Sequence, residues 1–264
     1  MSGASSSSSR ATCCRSCAPA WTADVTDRLA NLRDVGGLPV RGGGTIRAGV
    51  LLRSDAPYGG DAAPGLAVWP PRTVVDLRAP DEAPGRHPLE EAHGATIIAL
   101  PLHNAAGISA MRDLPEGDRA FHRIYGAMLG SGALLGRIAT IVADEPGPVL
   151  LHCAAGKDRT GVSVAVLLSA VGVERAAILE DYTATAANMP GVIARIRVAF
   201  GAHPEFDIDT ILRERPDLLA ASPTGLAAAL DAADEQYGGT AGLLLDTGLD
   251  AAVLERLRAR LVAA

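Results

Sequence analysis

The sequence predicts an α/β chain, an open sheet flanked by helices with a helical C-terminal part. Three observations predict it. Short apolar runs read as buried strands at Arg72 to Leu77, Ala95 to Leu102 and Pro148 to Leu151. Val149-Leu150-Leu151 is followed by a tight loop and then by a second apolar run, Val162 to Val171, long enough for a helix. Beyond residue 174 the pattern is helical, with Leu226, Leu230 and Ala233 on one face and Val253, Leu257 and Leu261 on another. At 264 residues the chain fits one α/β domain. Only 3% of residues are aromatic, so the core is expected to be Ala, Val, Leu and Ile.

Residues 1–20 are Ser-rich, cannot bury enough surface to order themselves, and are expected to form a disordered tail ahead of a domain spanning 21–264. Cys13, Cys14 and Cys17 lie in it. Cys14-Arg15-Ser16-Cys17 has C-x-x-C form, but a second ligand pair is missing and the remaining cysteine is Cys153, so no metal or redox role is assigned. No apolar run of signal-peptide form follows the first residues, and no stretch of about 20 apolar residues exists to span a membrane. A cytoplasmic location is expected, since reducing conditions suit a reactive thiolate; export without a signal peptide is left open. The net charge of −6, with no long basic block, argues against nucleic acid or an anionic membrane as a primary partner.

Residues 31–44 are turn-rich, and Thr45 to Arg53 reads as a strand or hairpin arm. Arg33 and Asp34 read as a surface pair or as scaffold. Trp69-Pro70-Pro71 is not an acid loop of Trp-Pro-Asp form: position 71 is Pro, and a strand follows at once. Asp76 ends that strand, where an open α/β sheet presents its site. It reads as an acid or supporting residue, or as a simple partner of Arg78. After Leu102 comes a loop with His103 and Asn104. Asp113 and Asp118 are read as surface charge, although a mobile acid loop could sit there. A helix is expected over 116–143, broken near Gly130-Ser131-Gly132. Further helices are expected at Glu174 to Ala187, Gly191 to Phe200, Pro223 to Tyr237 and Asp250 to Val262; Ile208 to Arg215 is short and charged.

The most specific stretch is His152-Cys153-Ala154-Ala155-Gly156-Lys157-Asp158-Arg159-Thr160-Gly161. A loop between a strand and a helix N-terminus can turn its backbone N–H groups inward, and with the helix dipole it makes an anion site. Cysteine is a nucleophile only as thiolate. Inward N–H groups, the helix N-terminus, Lys157 and Arg159 all favour that form. His152 can orient the thiol's surroundings or add charge. Arg159 carries a planar fork that matches two phosphoryl oxygens and would act most strongly on charge spreading over them in the transition state. Thr160 can donate its hydroxyl to the departing sulfur. A nucleotide-binding P-loop is excluded: that motif needs Ser or Thr after the Lys and a Gly six residues before it, and Asp158 and Leu151 stand there.

This stretch has the HC-x5-R form of the cysteine-dependent phosphatases, and with Lys-Asp before the Arg it resembles the bacterial tyrosine phosphatases of the mycobacterial PtpB type. The resemblance continues through Asn31 to Gly37, Arg47 to Ser54, Val75 to Arg78, Asp181-Tyr182 and Tyr237-Gly238, roughly residues 25–262. It implies the cysteine-phosphatase fold, with a central mixed, mostly parallel sheet, and places Asn31 to Gly37 beside the loop as scaffold. It also implies that residues about 190–215 could cover the site, against ordinary helical packing.

The expected chemistry is phosphomonoester hydrolysis in two displacements, with Cys153 as nucleophile and no metal or other cofactor. Arg159 and the residues Ala154, Ala155, Gly156, Lys157 and Asp158 would bind the phosphate, supported by His152 and Thr160. Asp158 is the first candidate for the proton donor and Asp76 the second. The expected substrates are phosphotyrosine proteins, with phosphoinositides or other phosphorylated small molecules and lipid head groups as an extension suggested by Lys157. A non-catalytic phosphate-binding module and a rhodanese-like sulfurtransferase are the alternatives; the first usually lacks the Cys or the Arg, and the second does not call for His152 and this Cys-to-Arg spacing.

Overall fold

The computed structural model describes residues 27–83, 85–102, 115, 117–200 and 208–264. The Ser-rich tail with Cys13, Cys14 and Cys17, the His103 and Asn104 loop, and Asp113 lie outside the described residues.

Five strands form the main sheet: β1 (Arg33–Asp34), β3 (Leu51–Ser54), β4 (Thr73–Asp76), β5 (Thr96–Ala99) and β6 (Val149–His152). Their order is β1-β3-β6-β4-β5. β1 runs antiparallel to β3, and the other neighbours are parallel. This is the mixed, mostly parallel sheet that the resemblance implies. β3, β4 and β6 are buried at every position, as strands covered on both faces must be. The register aligns Ser54 and Asp76 with His152, so three strand ends finish level at one edge, beside Cys153.

Alternation along the strands divides the core between two faces. Leu52, Val74 and Leu150 pack with Leu89 and Ala95, under α1 (Pro88–His93). Leu51, Val75, Val149 and Leu151 face the larger core built by α2 (Asp118–Leu129), α3 (Gly132–Asp144), α4 (Asp158–Ala170), α7 (Pro223–Tyr237), α8 (Thr240–Asp246) and α9 (Ala251–Leu261). α4 is buried from Arg159 to Leu168 and is the central helix. α2 packs on α7 and α3 on α9, and the apolar faces read in the C-terminal helices are the buried ones. α2 and α3 meet at 69°, and the break falls at Gly130 and Ser131, as expected. Among the described residues no single helix is long and apolar enough to cross a membrane.

Several expectations are corrected. Thr45 to Arg53 is not one strand: β2 (Thr45–Ile46) leaves the main sheet and pairs antiparallel with β7 (Val262–Ala263) at the C-terminus. The turn at Gly49, with φ of 77°, separates it from β3. The strand expected over Ala95 to Leu102 is shorter and is not buried throughout, because β5 is the sheet's edge; Thr96 and Ala99 are exposed. The two helices expected on either side of Pro190 are one helix, α5 (Arg175–Phe200). Proline removes one helical hydrogen bond, but Met189, Val192 and Ile196 bury a continuous stripe across the break, and packing overrides the local penalty. α6 (Ile208–Glu214) follows it.

Candidate active site

β6 sits between β3 and β4 and carries His152 to the sheet edge, where the chain leaves it as the loop 153–157 before α4 begins at Asp158. The outward carbonyls of this loop are each held. Ala56 N–H donates to the Ala154 oxygen at 3.0 Å. Asn31 Nδ2 donates to the oxygens of Ala155 and Gly156 at 3.1 and 3.2 Å, and Arg53 Nη2 reaches the Gly156 oxygen at 3.0 Å. In a planar trans peptide the N–H points opposite to the C=O. Drawing the oxygens of 154, 155 and 156 outward therefore turns the N–H groups of Ala155, Gly156 and Lys157 inward. Gly156 has φ of 66°, and a Cβ there would lie 2.3 Å from the Ser54 oxygen, so only glycine fits.

A buried ion-pair network fixes this scaffold. Asp181 receives Arg33 Nε at 2.7 Å and Arg53 Nη1 at 2.5 Å, and Arg33 Nη1 also reaches Asn31 Oδ1 at 2.7 Å. Burial works against the Asp181 carboxylate, but the two guanidinium groups outweigh it and hold the carboxyl below its ordinary range. Arg33 and Asp34 are thus not a surface pair. Arg33 serves the loop, and Asp34 accepts from the N–H groups of Gly36 and Gly49 at 2.8 and 2.6 Å.

Cys153 is only 3% exposed. Arg159 is also buried and is charged: burial opposes the guanidinium, but Glu82, Cys153 and Asp158 outweigh it and keep it protonated. Glu82 takes its two terminal nitrogens, Nη1 to Oε2 at 2.5 Å and Nη2 to Oε1 at 2.7 Å, and Nη1 also meets the Leu77 oxygen at 3.4 Å. A guanidinium has five N–H groups. Among the described residues this leaves Nε–H and the second Nη2–H without a partner, a side-on pair that matches two oxygens of an anion.

Asp158 and Lys157 form the helical wall. Tyr125 hydroxyl donates to Asp158 Oδ1 at 2.6 Å. Tyr125 and Tyr182 hydroxyls are 2.5 Å apart, so with Tyr125 donating to Asp158, Tyr182 donates to Tyr125. Burial and the Asp158 charge push Tyr125 well above the usual phenol range. Lys157 Nζ lies 3.4 Å from Asp158 Oδ1, donates to the Ala220 oxygen at 3.1 Å, and sits 5.0 Å from the centre of the Phe121 ring.

Asp76, on the opposite wall, has both oxygens engaged by Arg78, through Nε at 3.0 Å and Nη2 at 2.7 Å. Burial pushes its carboxyl up, but His152 and Arg78 outweigh this and hold it at about 2. His152 is neutral at ordinary pH, because burial pushes it down to about 3, so Arg78 sustains the carboxylate there. The His152 ring nitrogens meet the Cys153 carbonyl oxygen at 3.3 Å and His87 Nε2 at 3.0 Å. The Thr160 hydroxyl is buried and makes no hydrogen bond among the described residues, so the expected bond to sulfur is not present in this state.

Residues 25–263 match the model of the tyrosine phosphatase family. The chain belongs to that family. Its enzyme class is protein-tyrosine phosphatase. Relatives include the triple specificity protein phosphatase PtpB of Mycobacterium tuberculosis, 37% identical over 222 residues, covering 70% of this chain and 80% of that protein. A putative tyrosine-protein phosphatase of Cupriavidus necator is 34% identical over 171 residues, with 59% of this chain and 60% of that one aligned. A tyrosine-protein phosphatase of Nostoc commune is 34% identical over 123 residues, covering 46% and 41%.

In this phosphatase the structure brings together every loop residue expected from the sequence and sets Asp76 beside His152. Asp118 is remote in role, an exposed acceptor for the Ser222 hydroxyl at 2.6 Å. Asn31 grips the loop from the segment expected beside it as scaffold, whereas sequence reasoning missed Glu82, His87 and Tyr125 as neighbours of the phosphatase loop. Glu82 and His87 sit in an unpatterned stretch, and Tyr125 lies on the buried face of an ordinary amphipathic helix. None carries a local signal of its partner.

Proposed function

We propose that residues 21–264 form a metal-independent phosphatase domain that hydrolyses phosphotyrosine in proteins through a phosphocysteine. The Cys153 thiolate attacks phosphorus, the S–P bond forms as the P–O bond to the phenol breaks, and Asp158 gives the leaving oxygen its proton. Water then attacks phosphorus, Asp158 takes its proton, and the sulfur leaves as thiolate. Arg159 and the N–H groups of Ala155, Gly156 and Lys157 carry the charge on the equatorial oxygens. The observation that carries this reading is the set of loop carbonyls turned outward by Asn31, Arg53 and Ala56, with Arg159 presenting a spare side-on fork beside Cys153.

Asp158 is preferred over Asp76 as donor because Asp158 is 28% exposed, whereas Arg78 occupies both Asp76 oxygens. Asp76 instead neutralises Arg78 beside the loop. Cys153 is only 3% exposed, and a phenyl-length arm reaches a buried sulfur more readily than a short serine side chain. Lys157, together with a relative named for triple specificity, supports a pocket that also takes phosphoinositides or other phosphorylated head groups. On this reading the enzyme works in the cytoplasm, where reducing conditions keep the Cys153 thiol free.

Hydrolysis of p-nitrophenyl phosphate in EDTA tests the mechanism: wild type turns over, while Cys153→Ser and Arg159→Ala lose activity by about a thousandfold or more. Phosphate release from a phosphotyrosine peptide set against a soluble phosphoinositide ranks the substrates. Equal inertness of wild type and Cys153→Ser toward all three compounds would overturn the proposal.

A further inference from the structure

His87 caps α1 and His152 ends β6, and their Nε2 atoms meet at 3.0 Å in a buried site. Two lone pairs or two N–H groups cannot face each other at that distance, so one ring bears its proton there and the other does not. The remaining ring nitrogens decide which. Leu89 N–H reaches His87 Nδ1 at 3.2 Å, and an amide N–H only donates. His87 Nδ1 is therefore bare, and the neutral ring carries its proton on Nε2. His152 Nε2 must accept it. The proton of His152 then sits on Nδ1, 3.3 Å from the Cys153 carbonyl oxygen, which only accepts. A continuous chain results, from Leu89 N–H through His87 and His152 to the Cys153 carbonyl, with every donor matched to an acceptor.

Charged groups around the pair pull against this arrangement. Asp76 Oδ1 lies 3.8 Å from His152 Nε2 and alone would draw the His152 proton to that nitrogen. Arg78 faces both rings and disfavours their charged forms, while Glu90 acts on His87 in the opposite sense. Burial dominates, pushing His87 down to about 4 and His152 to about 3, so both rings are neutral and the tautomer is a real choice. The ligand atoms of Asp76, His87 and His152 lie within 4.8 Å of one another, a spacing that could suit a cation. However, the His152 Nε2 lone pair is taken by His87, and both Asp76 oxygens by Arg78.

We propose that His87 is a positioning residue for the Cys153 loop: it holds His152 in the Nδ1–H tautomer, and His152 holds the Cys153 carbonyl and thus the first peptide of the anion loop. The kinetic part of this inference rests on Cys153 being the nucleophile; the tautomer does not. The test is a nitrogen-15 spectrum of the histidine rings in the full chain near pH 7, with p-nitrophenyl phosphate kinetics and melting curves on two variants. In wild type, His152 is expected to show a protonated Nδ1 and a bare Nε2.

His87→Asn keeps a good helix cap, but with its oxygen on the Leu89 N–H its shorter amide nitrogen does not reach His152. Its melting temperature should stay near wild type while the His152 signature changes and kcat/KM falls about tenfold. His87→Gln places an amide donor near the old Nε2 but caps poorly. It should melt lower yet keep the wild-type signature, with kcat/KM within about threefold of wild type. A purely structural role would make activity follow melting temperature, and this crossed pattern would not. A wild-type spectrum with His152 protonated at Nε2, or a His87→Asn protein with unchanged signature and rate, would overturn the proposal. An inert wild type that still carries the Nδ1–H tautomer would sink the phosphocysteine mechanism and leave the histidine chain standing.

Discussion

The walls on either side of the Cys153 loop both present an aspartate, and the two aspartates are held in opposite ways. On the sheet side, Asp76 is clamped by Arg78, with neutral His152 and His87 behind it. On the helical side, Asp158 is touched by a phenol and, more distantly, by Lys157. A guanidinium that occupies both oxygens makes a carboxylate permanent. A single phenolic hydrogen bond orients one oxygen and leaves the other for a substrate. Residue type alone does not distinguish the two aspartates; their partners do, and it is on those partners that the proposal of Asp158 as proton donor rests.

Removing each aspartate should separate the two roles. Asp76→Ala strands a buried Arg78, and breaking a buried pair costs about 3–5 kcal/mol, read as a lowered urea midpoint. Asp158→Asn should fold normally and lose about a hundredfold in kcat on a phosphotyrosine peptide, a typical loss for an acid–base group. If Asp76→Ala lost activity without stability, or Asp158→Asn the reverse, the contrast would be broken.

Acid is the gentler probe and should act on the sheet-side wall. His87 and His152 have folded values of about 4 and 3, below the unfolded 6.5. The unfolded chain therefore binds protons first, and stability falls as pH drops below 6.5, by about 1.4 kcal/mol per unit for each ring. Asp76, at about 2 against an unfolded 3.8, adds stability above 3.8 that is lost as pH falls toward 2. Urea midpoints at pH 7, 6 and 5 should decline progressively. A flat profile would mean that the two rings are not buried neutral.

Much of this was legible beforehand. The residues from His152 to Thr160 carry their chemistry in a contiguous run, and the strand and helix that flank them have strong apolar patterns. Asp76 was legible as a strand end, and the Arg78 pairing as a neighbour two residues away. Asn31 to Gly37 was legible as scaffold beside the loop through the family resemblance, and Asn31 does hold it. Glu82 and His87 were not, because they meet Arg159 and His152 across 77 and 65 residues of chain. Such contacts depend on strand order and register, which a local pattern does not encode. Pro190 shows the converse error: its local rule was read correctly, and the buried stripe of α5 overrode it.

The close approach of Gly156 to the Ser54 carbonyl has a consequence for protein engineering. The ten-residue motif is not a portable cassette. Its curvature is moulded against a neighbouring strand and gripped by side chains at positions 31 and 53. Grafted onto another strand–helix junction without that mould, the same letters should yield a cysteine but no cradle.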